Sequence, residues 1–280
     1  MKNLILLCAI LICTGCNTNP ETENISVENK KLQEVQEGKF TLRSEILDQD
    51  RTYHVRLPEG YLDASKEKKY PLIILLDGET FLKTTEEVVH FMSSDRNRNH
   101  LMPASIIVAV ENIDREHDLT VTKIKTKREN TMGGGRDFLD FIQDELLPHI
   151  RSNYNTESQT TLIGHSLGGL LTLNAYIHEN SIFDSYLAID PSVFWEEEMM
   201  RSKVDTVTQK ALQKKLYIAT ANQGEGNHGK NKIRHDALYA MLKAKAKDTM
   251  RLSIQYFNNE NHRSVPLKAL YEGLRFLNQG

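Results

Sequence analysis

The sequence predicts an α/β protein in which a mostly parallel, twisted sheet is covered by helices on both faces. Short apolar stretches of strand length alternate with longer stretches of helical period, which favours parallel strands joined by helical crossovers. Several short stretches are apolar at every position, as is typical of strands buried on both faces. A chain of 280 residues with a formal net charge of −3 fits one such domain and gives no electrostatic case for nucleic-acid binding.

The N-terminus predicts export. All three cysteines lie in the first sixteen residues, so the rest of the chain has no disulfide framework, thiolate metal site or cysteine nucleophile. The apolar run Leu4–Ile12 has the length of a signal peptide, and Cys13–Cys16 resembles a bacterial lipoprotein signal. We therefore expect a signal peptide over residues 1–15 and a lipid on Cys16. That lipid would anchor the protein on the periplasmic or cell-surface side of a membrane; an ordinary cleaved signal peptide is the alternative.

Residues 16–37 are polar and lack apolar periodicity, which predicts a flexible tether; an ordered arm packed on the domain is the alternative. The pattern changes at Phe40, and we expect a single domain over residues 38–280. Phe40–Leu47 and Thr52–Leu57 are β-prone stretches on either side of a polar turn. They predict an antiparallel hairpin at the start of the sheet.

The alternation then continues to the end of the chain. We expect six further strands, over Tyr70–Leu76, Ile106–Val110, Thr160–Ile163, Tyr186–Ile189, Leu216–Ala219 and Leu252–Phe257. We expect helices over Asp137–Ile150, Leu167–His178, Asn231–Lys247 and Val265–Leu277. Ser264 is the expected N-cap of the last helix, with a proline in its first turn.

A candidate nucleophile lies between one of these strands and the helix that follows it. Gly164-His165-Ser166-Leu167-Gly168 matches Gly-x-Ser-x-Gly, and the flanking residues predict a buried strand before it and a helix after it. A sharp strand-to-helix turn lifts a serine hydroxyl clear of the sheet, and the glycines two residues before and after it avoid a collision across the turn. The context predicts that Ser166 is a catalytic nucleophile.

His262 is the candidate general base. It follows the last predicted strand and precedes the last helix, so it lies in a loop at the edge where the carboxyl ends of parallel strands meet. The order along the chain, serine before histidine, agrees with this kind of hydrolytic site. His228 and His235 are imaginable metal ligands, but no carboxylate at a familiar spacing joins them, and we expect neither a metal nor an organic cofactor.

The acid that orients the imidazole is harder to place. Its usual position is the loop after the next-to-last strand, and Glu225 is the one carboxylate in that loop. We therefore predict Glu225 as the acid. Asp190, at the end of the preceding strand, is the second choice, Asp236 is the third, and a two-residue Ser–His mechanism is a further alternative.

Backbone groups near the turn are the expected oxyanion donors. Leu167 would supply one N–H group, and Gly78 or Glu79, after an early buried strand, would supply the second. Arg115 lies in a loop at the same edge and is predicted to bind a substrate carboxylate or a neighbouring acid, or to form an ion pair with Asp118. Trp195, with its neighbour Phe194, is expected either to line the substrate pocket or to pack in the core.

Together these residues resemble the putative-esterase branch of the α/β-hydrolases, which includes siderophore esterases and esterase-D-like enzymes. The resemblance runs from about Phe40 to Leu277, implies the α/β-hydrolase fold, and assigns the nucleophile to Ser166 and the base to His262. Family members cleave small acyl esters, siderophore lactones, or acyl groups on sugars. The stretches that carry the resemblance are Leu75–Gly78, Asn112–Thr120, Gly164–Gly169, Asp190–Trp195 and His262–Pro266.

The predicted activity is hydrolysis of a carboxylic ester through an acyl-enzyme, with residues 38–280 as the catalytic domain and a small-molecule or glycan ester as the substrate. Two other functions stay open at this point. An acyltransferase on the same scaffold would replace water with an alcohol acceptor. A surface binding lipoprotein would keep the fold without activity.

Overall fold

The computed structural model describes residues 36–63, 67–96, 98–127, 129–178, 182–195, 199–226, 229–248 and 251–279. The predicted signal peptide, Cys16 and nearly all of the predicted tether lie outside these ranges, and export, lipidation and membrane anchoring stay predictions. Within the described residues, no helix has both the length and the apolar character needed to cross a bilayer.

Eight strands of the described chain form one sheet in the order β1-β2-β4-β3-β5-β6-β7-β8. The pairs β1–β2 and β2–β4 are antiparallel, and every other neighbouring pair is parallel. This confirms the predicted mostly parallel sheet with an antiparallel N-terminal hairpin. The strands are β1 (Gly38–Ser44), β2 (Gln49–Arg56), β3 (Tyr70–Leu75), β4 (Ile106–Val110), β5 (Thr156–His165), β6 (Ser185–Ile189), β7 (Lys215–Ala221) and β8 (Leu252–Phe257).

Helices cover both faces of the sheet. The predicted helix near residue 137 is a continuous helical stretch that includes a π-helical segment, Phe141–Leu146, between two α-helices. The α-helices are α1 (Gly78–Ser93), α2 (Arg115–Leu119), α3 (Gly135–Asp140), α4 (Leu147–Asn153), α5 (Leu167–Ile177), α6 (Met199–Asp205), α7 (Asn231–Lys245) and α8 (Val265–Asn278). A short 3-10 helix, Ala211–Gln213, precedes β7.

Alternate residues of the central strands enter two separate cores. In β3, Leu72 and Ile74 pack in the core that contains α5, whereas Ile73 and Leu75 pack in the core that contains α1 and α8. All six residues of β3 are buried. The continuous apolar pattern of this strand therefore has a direct cause, because helices cover both faces of the sheet.

Helix α1 is absent from the sequence-based prediction, although a helical period is present. Its buried side chains recur on one face, at Leu82, Thr85, Val88, Val89 and Met92. The helix begins at Gly78, within the Asp77-Gly78 pair that looks like a simple turn in the sequence. Asp77 has a left-handed backbone, with φ 54° and ψ 46°, and serves as the N-cap residue.

The parallel strands β3 to β8 bring their carboxyl ends to one edge of the sheet. The loop that follows β4 at this edge is fixed by a buried ion pair. Arg51 Nη2 in β2 lies 2.6 Å from Asp118 Oδ2 in α2, and both side chains are almost fully buried. The Arg51 guanidinium also lies over the ring of Phe138. Asp118 is therefore held by Arg51, and this geometry positions the loop from residue 111 to residue 120 beside the central strands.

Candidate active site

Ser166 lies on a tight turn between β5 and α5. Its backbone has φ 60° and ψ −116°, a conformation that L-residues rarely adopt. A Cβ atom added to Gly164 would lie 2.2 Å from the carbonyl oxygen of Gly168, so a side chain at that position would collide across the turn. The turn is also bonded to β6, because the Ser166 amide donates to the Ile189 carbonyl at 3.0 Å.

His262 reaches this serine from the loop between β8 and α8. The Ser166 Oγ and His262 Nε2 atoms are 3.0 Å apart. Asn261 shapes the loop, since its Oδ1 accepts hydrogen bonds from the amides of Arg263 and Ser264. The predicted N-cap role of Ser264 is only partly met: Ser264 precedes α8, but its Oγ accepts from the Asn261 amide instead of capping the helix.

His165, the residue before the serine, supports the loop from the opposite side. Its Nε2 donates to the backbone carbonyl of His262 at 2.8 Å, and the two rings are 4.4 Å apart between centroids. Burial, together with the nearby charge of His262, lowers the pKa of His165 to about 4. His165 is therefore neutral at ordinary pH and holds the His262 backbone as a hydrogen-bond donor.

The carboxylate behind the imidazole belongs to Asp190. Its Oδ2 lies 2.5 Å from His262 Nδ1, and its side chain is fully buried. The same carboxylate accepts from the Ala221 amide at 3.0 Å and from Gln223 Nε2 at 2.6 Å. Burial by itself raises the pKa of Asp190, but the hydrogen bonds from His262 and Ala221 outweigh it and lower that pKa below its usual value. Asp190 is thus ionised and acts as the acceptor for the imidazole Nδ1–H.

This arrangement corrects the predicted position of the acid. Glu225 lies exposed in the loop after β7, and the carboxylate at His262 is the second choice, Asp190. Asp236, the third choice, lies on α7 and pairs with Lys232 at 2.6 Å. The physical reason lies in the sheet order: β6 is the direct neighbour of β5, so a residue that ends β6 lies beside Ser166, and Asp190 turns there with φ 40°.

His235 anchors the segment that follows Asp190. Its Nε2 donates to the Pro191 carbonyl at 2.7 Å, and its Nδ1 accepts from Thr220 Oγ1 at 2.9 Å. The ring is fully buried, and this burial lowers the pKa of His235. Both ring nitrogens are thus engaged inside the fold, while His228, the other histidine that the sequence analysis weighed as a metal ligand, lies outside the described residues.

The predicted oxyanion donors belong to two neighbouring helix starts. Leu167 is the first residue of α5, and Gly78 and Glu79 begin α1 after β3, the strand next to β5. A Cβ atom added to Gly168 would lie 3.2 Å from Asp77 Oδ2, which shows how closely the two starts approach. The amides at both positions are free of helical partners, as at any helix N-terminus.

Arg115 pairs with a neighbouring acid, Asp77, which was one of the predicted alternatives, and the alternative pairing with Asp118 is wrong. Its Nε lies 2.7 Å from Asp77 Oδ1, and its Nη2 lies 2.9 Å from Asp77 Oδ2. Asn112 Nδ2 donates to the same Oδ1 at 2.7 Å. Asp118 pairs with Arg51 instead. Arg115, at the active-site edge, therefore holds Asp77, the N-cap residue of α1.

Trp195 packs against the larger core. Packing in the core was one of its two predicted placements, and lining the substrate pocket was the other. Its ring contacts the edge of Phe194, with 6.1 Å between the ring centroids. Arg234 of α7 lies over the other aromatic ring, that of Phe194, at 5.7 Å. A contact between Trp195 and substrate stays a prediction.

Comparisons with known proteins identify the family of the chain. A family model described as "Putative esterase" matches residues 44–263. Ferri-bacillibactin esterase BesA of Bacillus subtilis is 27% identical over 249 residues, which span 82% of this chain and 86% of that protein. The IroE-like serine hydrolase from Shewanella oneidensis aligns with a TM-score of 0.78 and 32% identity, covering 87% of this chain and 80% of the other.

A third similarity concerns the fold alone. The enterobactin esterase FES from Shigella flexneri, crystallised in the presence of 2,3-di-hydroxy-N-benzoyl-serine, aligns with a TM-score of 0.67 and 22% identity. The alignment covers 87% of this chain and 59% of that chain. The range matched by the family model contains Ser166, Asp190 and His262.

The buried state of His165 makes stability depend on pH. Its pKa is about 4 in the folded protein and near 6.5 in an unfolded chain, so the unfolded state binds more protons between these pH values. Acidification from pH 6.5 to 4 therefore lowers the free energy of unfolding. We expect His165→Gln to show a smaller decrease in the free energy of unfolding than wild type over this interval, measured by urea denaturation at several pH values.

His90→Gln, at an exposed position of α1, is the control and should keep the wild-type decrease. An equal decrease in the free energy of unfolding for all three proteins would contradict the prediction.

Proposed function

The chain belongs to the esterase family and is a carboxylic ester hydrolase, and from this premise we propose that Ser166, His262 and Asp190 form its catalytic triad. The observation that carries the proposal is a continuous chain of hydrogen bonds. Ser166 Oγ lies 3.0 Å from His262 Nε2, and His262 Nδ1 lies 2.5 Å from the buried Asp190 carboxylate. Because Asp190 accepts the Nδ1 proton, Nε2 carries the lone pair that a general base needs.

The first half of the reaction forms an acyl-enzyme. His262 Nε2 takes the Ser166 proton while Oγ attacks the ester carbonyl, and the carbonyl oxygen becomes an oxyanion. The amide of Leu167, together with that of Gly78 or Glu79, donates hydrogen bonds to this oxyanion. The tetrahedral intermediate collapses when its bond to the alcohol oxygen breaks, and that oxygen takes the proton from His262.

The second half returns the enzyme to its starting state. A water molecule gives a proton to His262 Nε2 and attacks the acyl carbon. The bond between that carbon and Ser166 Oγ then breaks, Oγ recovers the proton, and the acid is released. Asp190 stays ionised throughout and stabilises the imidazolium that forms in each half.

The proposed substrate is a siderophore ester. BesA of Bacillus subtilis, which aligns with most of this chain, is a ferri-bacillibactin esterase, and the ligand crystallised with the Shigella flexneri enzyme carries a dihydroxybenzoyl group. Catecholate groups on a ferric ion form an anionic chelate. The loop after α2, at the active-site edge, presents three exposed lysines, Lys123, Lys125 and Lys127. Their positive charge favours the approach of an anionic substrate to this edge.

The triad predicts different outcomes for two carboxylates. Asp190→Asn keeps the shape of the side chain but no longer favours the required imidazole tautomer, so we expect kcat to fall about ten-thousand-fold, as in other serine hydrolases with this change. Glu225→Gln is the matched control and should keep wild-type turnover. The measurement is steady-state hydrolysis of a p-nitrophenyl ester at neutral pH. Loss of turnover in Glu225→Gln with activity retained in Asp190→Asn would contradict the assignment.

The substrate proposal is tested with ferri-bacillibactin and a neutral p-nitrophenyl ester, following the released acid by chromatography. We expect wild-type protein to cleave both esters and Ser166→Ala to cleave neither. The double variant Lys125→Gln/Lys127→Gln should lower kcat/KM for the ferric chelate about tenfold, through weaker electrostatic attraction, and leave the neutral ester unaffected.

The matched control for that variant is Lys68→Gln/Lys69→Gln, where two exposed lysines lie at the amino end of β3, on the opposite edge of the sheet. This control should behave as wild type with both esters. Cleavage of the neutral ester alone would overturn the siderophore proposal and leave the triad intact. Equal effects of the two double variants on the ferric chelate would exclude the lysine loop as the source of attraction.

A further inference from the structure

A second hydroxyl group lies beside the proposed nucleophile. Ser192 Oγ is 3.1 Å from Ser166 Oγ, and Ser192 is only 4% exposed. Ser192 lies outside the proposed triad. The nucleophile oxygen therefore has two side-chain neighbours within hydrogen-bond distance, the imidazole of His262 and this buried hydroxyl.

Backbone contacts hold Ser192 in this position. Its amide donates to the Ser166 carbonyl at 3.0 Å, and its own carbonyl accepts from the Trp195 amide at 2.9 Å. The preceding residue, Pro191, is held by the hydrogen bond from His235. Ser192 is thus fixed relative to the strained turn, and its hydroxyl needs no rearrangement to reach Ser166 Oγ.

The protonation of the triad sets the direction of this hydrogen bond. His262 donates its Nδ1 proton to Asp190, so its Nε2 accepts the proton of the Ser166 hydroxyl. With that proton committed to His262, Ser166 Oγ can only accept from Ser192. The Ser192 O–H is consequently the donor, and it points at the atom that becomes negatively charged during catalysis.

We propose that Ser192 is a further catalytic residue that donates a hydrogen bond to Ser166 Oγ and stabilises the charge that develops there. The inference rests on the proposed function, because it assumes that Ser166 is the nucleophile. In acylation, Oγ gives its proton to His262 as the bond to the acyl carbon forms. In deacylation, that bond breaks, its electron pair goes to Oγ, and His262 returns the proton. Ser192 keeps its own proton in both steps. Its hydrogen bond eases the loss of the Oγ proton in acylation and makes Oγ a better leaving group in deacylation.

Three variants at position 192 separate the hydroxyl from the shape of the side chain. Ser192→Thr and Ser192→Val have nearly the same volume, and only the first keeps a hydroxyl; Ser192→Ala removes it without adding bulk. The readout is the second-order rate constant for labelling of Ser166 by a fluorophosphonate, which reports the reactivity of Oγ itself. We expect a decrease of about 10- to 100-fold for the Ala and Val variants, the range for a lost hydrogen bond to a charged group, and labelling within about threefold of wild type for Thr.

A control variant measures the effect of removing a buried serine hydroxyl that does not contact Ser166. Ser185→Ala removes a hydroxyl that is buried to the same degree at the start of β6, and it should label at the wild-type rate. Thermal unfolding of each protein identifies the variants that fold. A wild-type labelling rate in Ser192→Ala, or equal rates in folded Thr and Val variants, would overturn the role of Ser192. Wild-type protein that labels no faster than Ser166→Ala would overturn the proposed function, and this inference with it.

Discussion

The close approach of backbone to backbone at the Ser166 turn is the constraint on which the rest of the site depends. Gly164 and Gly168 come so near that a single Cβ atom would prevent the turn, and Ser166 itself is held in a rarely populated backbone conformation. Such strain persists only where the surroundings enforce it. Here β5 lies in the middle of the sheet, α5 packs against it, and the amide of Ser166 is bonded to β6. Packing around β5 and α5 therefore fixes the position of the Ser166 hydroxyl group.

The short segment after β6 has several roles at once. Asp190 accepts a hydrogen bond from the His262 imidazole, Ser192 lies against Ser166, and the Pro191 carbonyl between them accepts from the buried ring of His235. Hydrogen bonds inside the protein hold Asp190, Pro191 and Ser192 in place, where an unpaired polar group is costly. Placing the acid on β6 shortens the distance that it must span, since β6 adjoins the strand that carries Ser166. The loop after β7 then supplies no acid: it contributes Gln223, which donates to Asp190, and carries an exposed Glu225.

Much of the fold and part of the site follow from the sequence by simple rules. The residues of β3 are apolar at every position because both faces of the strand are buried, and the glycine two residues before Ser166 signals a turn that tolerates no side chain at that position. The acid was harder to place, because the left-handed turn of Asp190 is not visible in the sequence. The partner of Arg115 could not be chosen among the alternatives for a related reason: Asp118 is the near neighbour along the chain, but Arg51 of a distant strand pairs with it. The local pattern of apolar residues predicts strands and helices well. Contacts between side chains of different loops depend on the order of the strands in the sheet, which that pattern does not give.

The central claim is that Asp190, through His262, completes the hydrogen-bond chain to Ser166. A direct measurement is the proton NMR signal of the His262 Nδ1–H group, which a short hydrogen bond to a buried carboxylate shifts strongly downfield. We expect this signal in wild-type protein and in Glu225→Gln, and its loss or a large upfield shift in Asp190→Asn. A signal that survives in Asp190→Asn and disappears in Glu225→Gln would show that Asp190 is not the partner of His262.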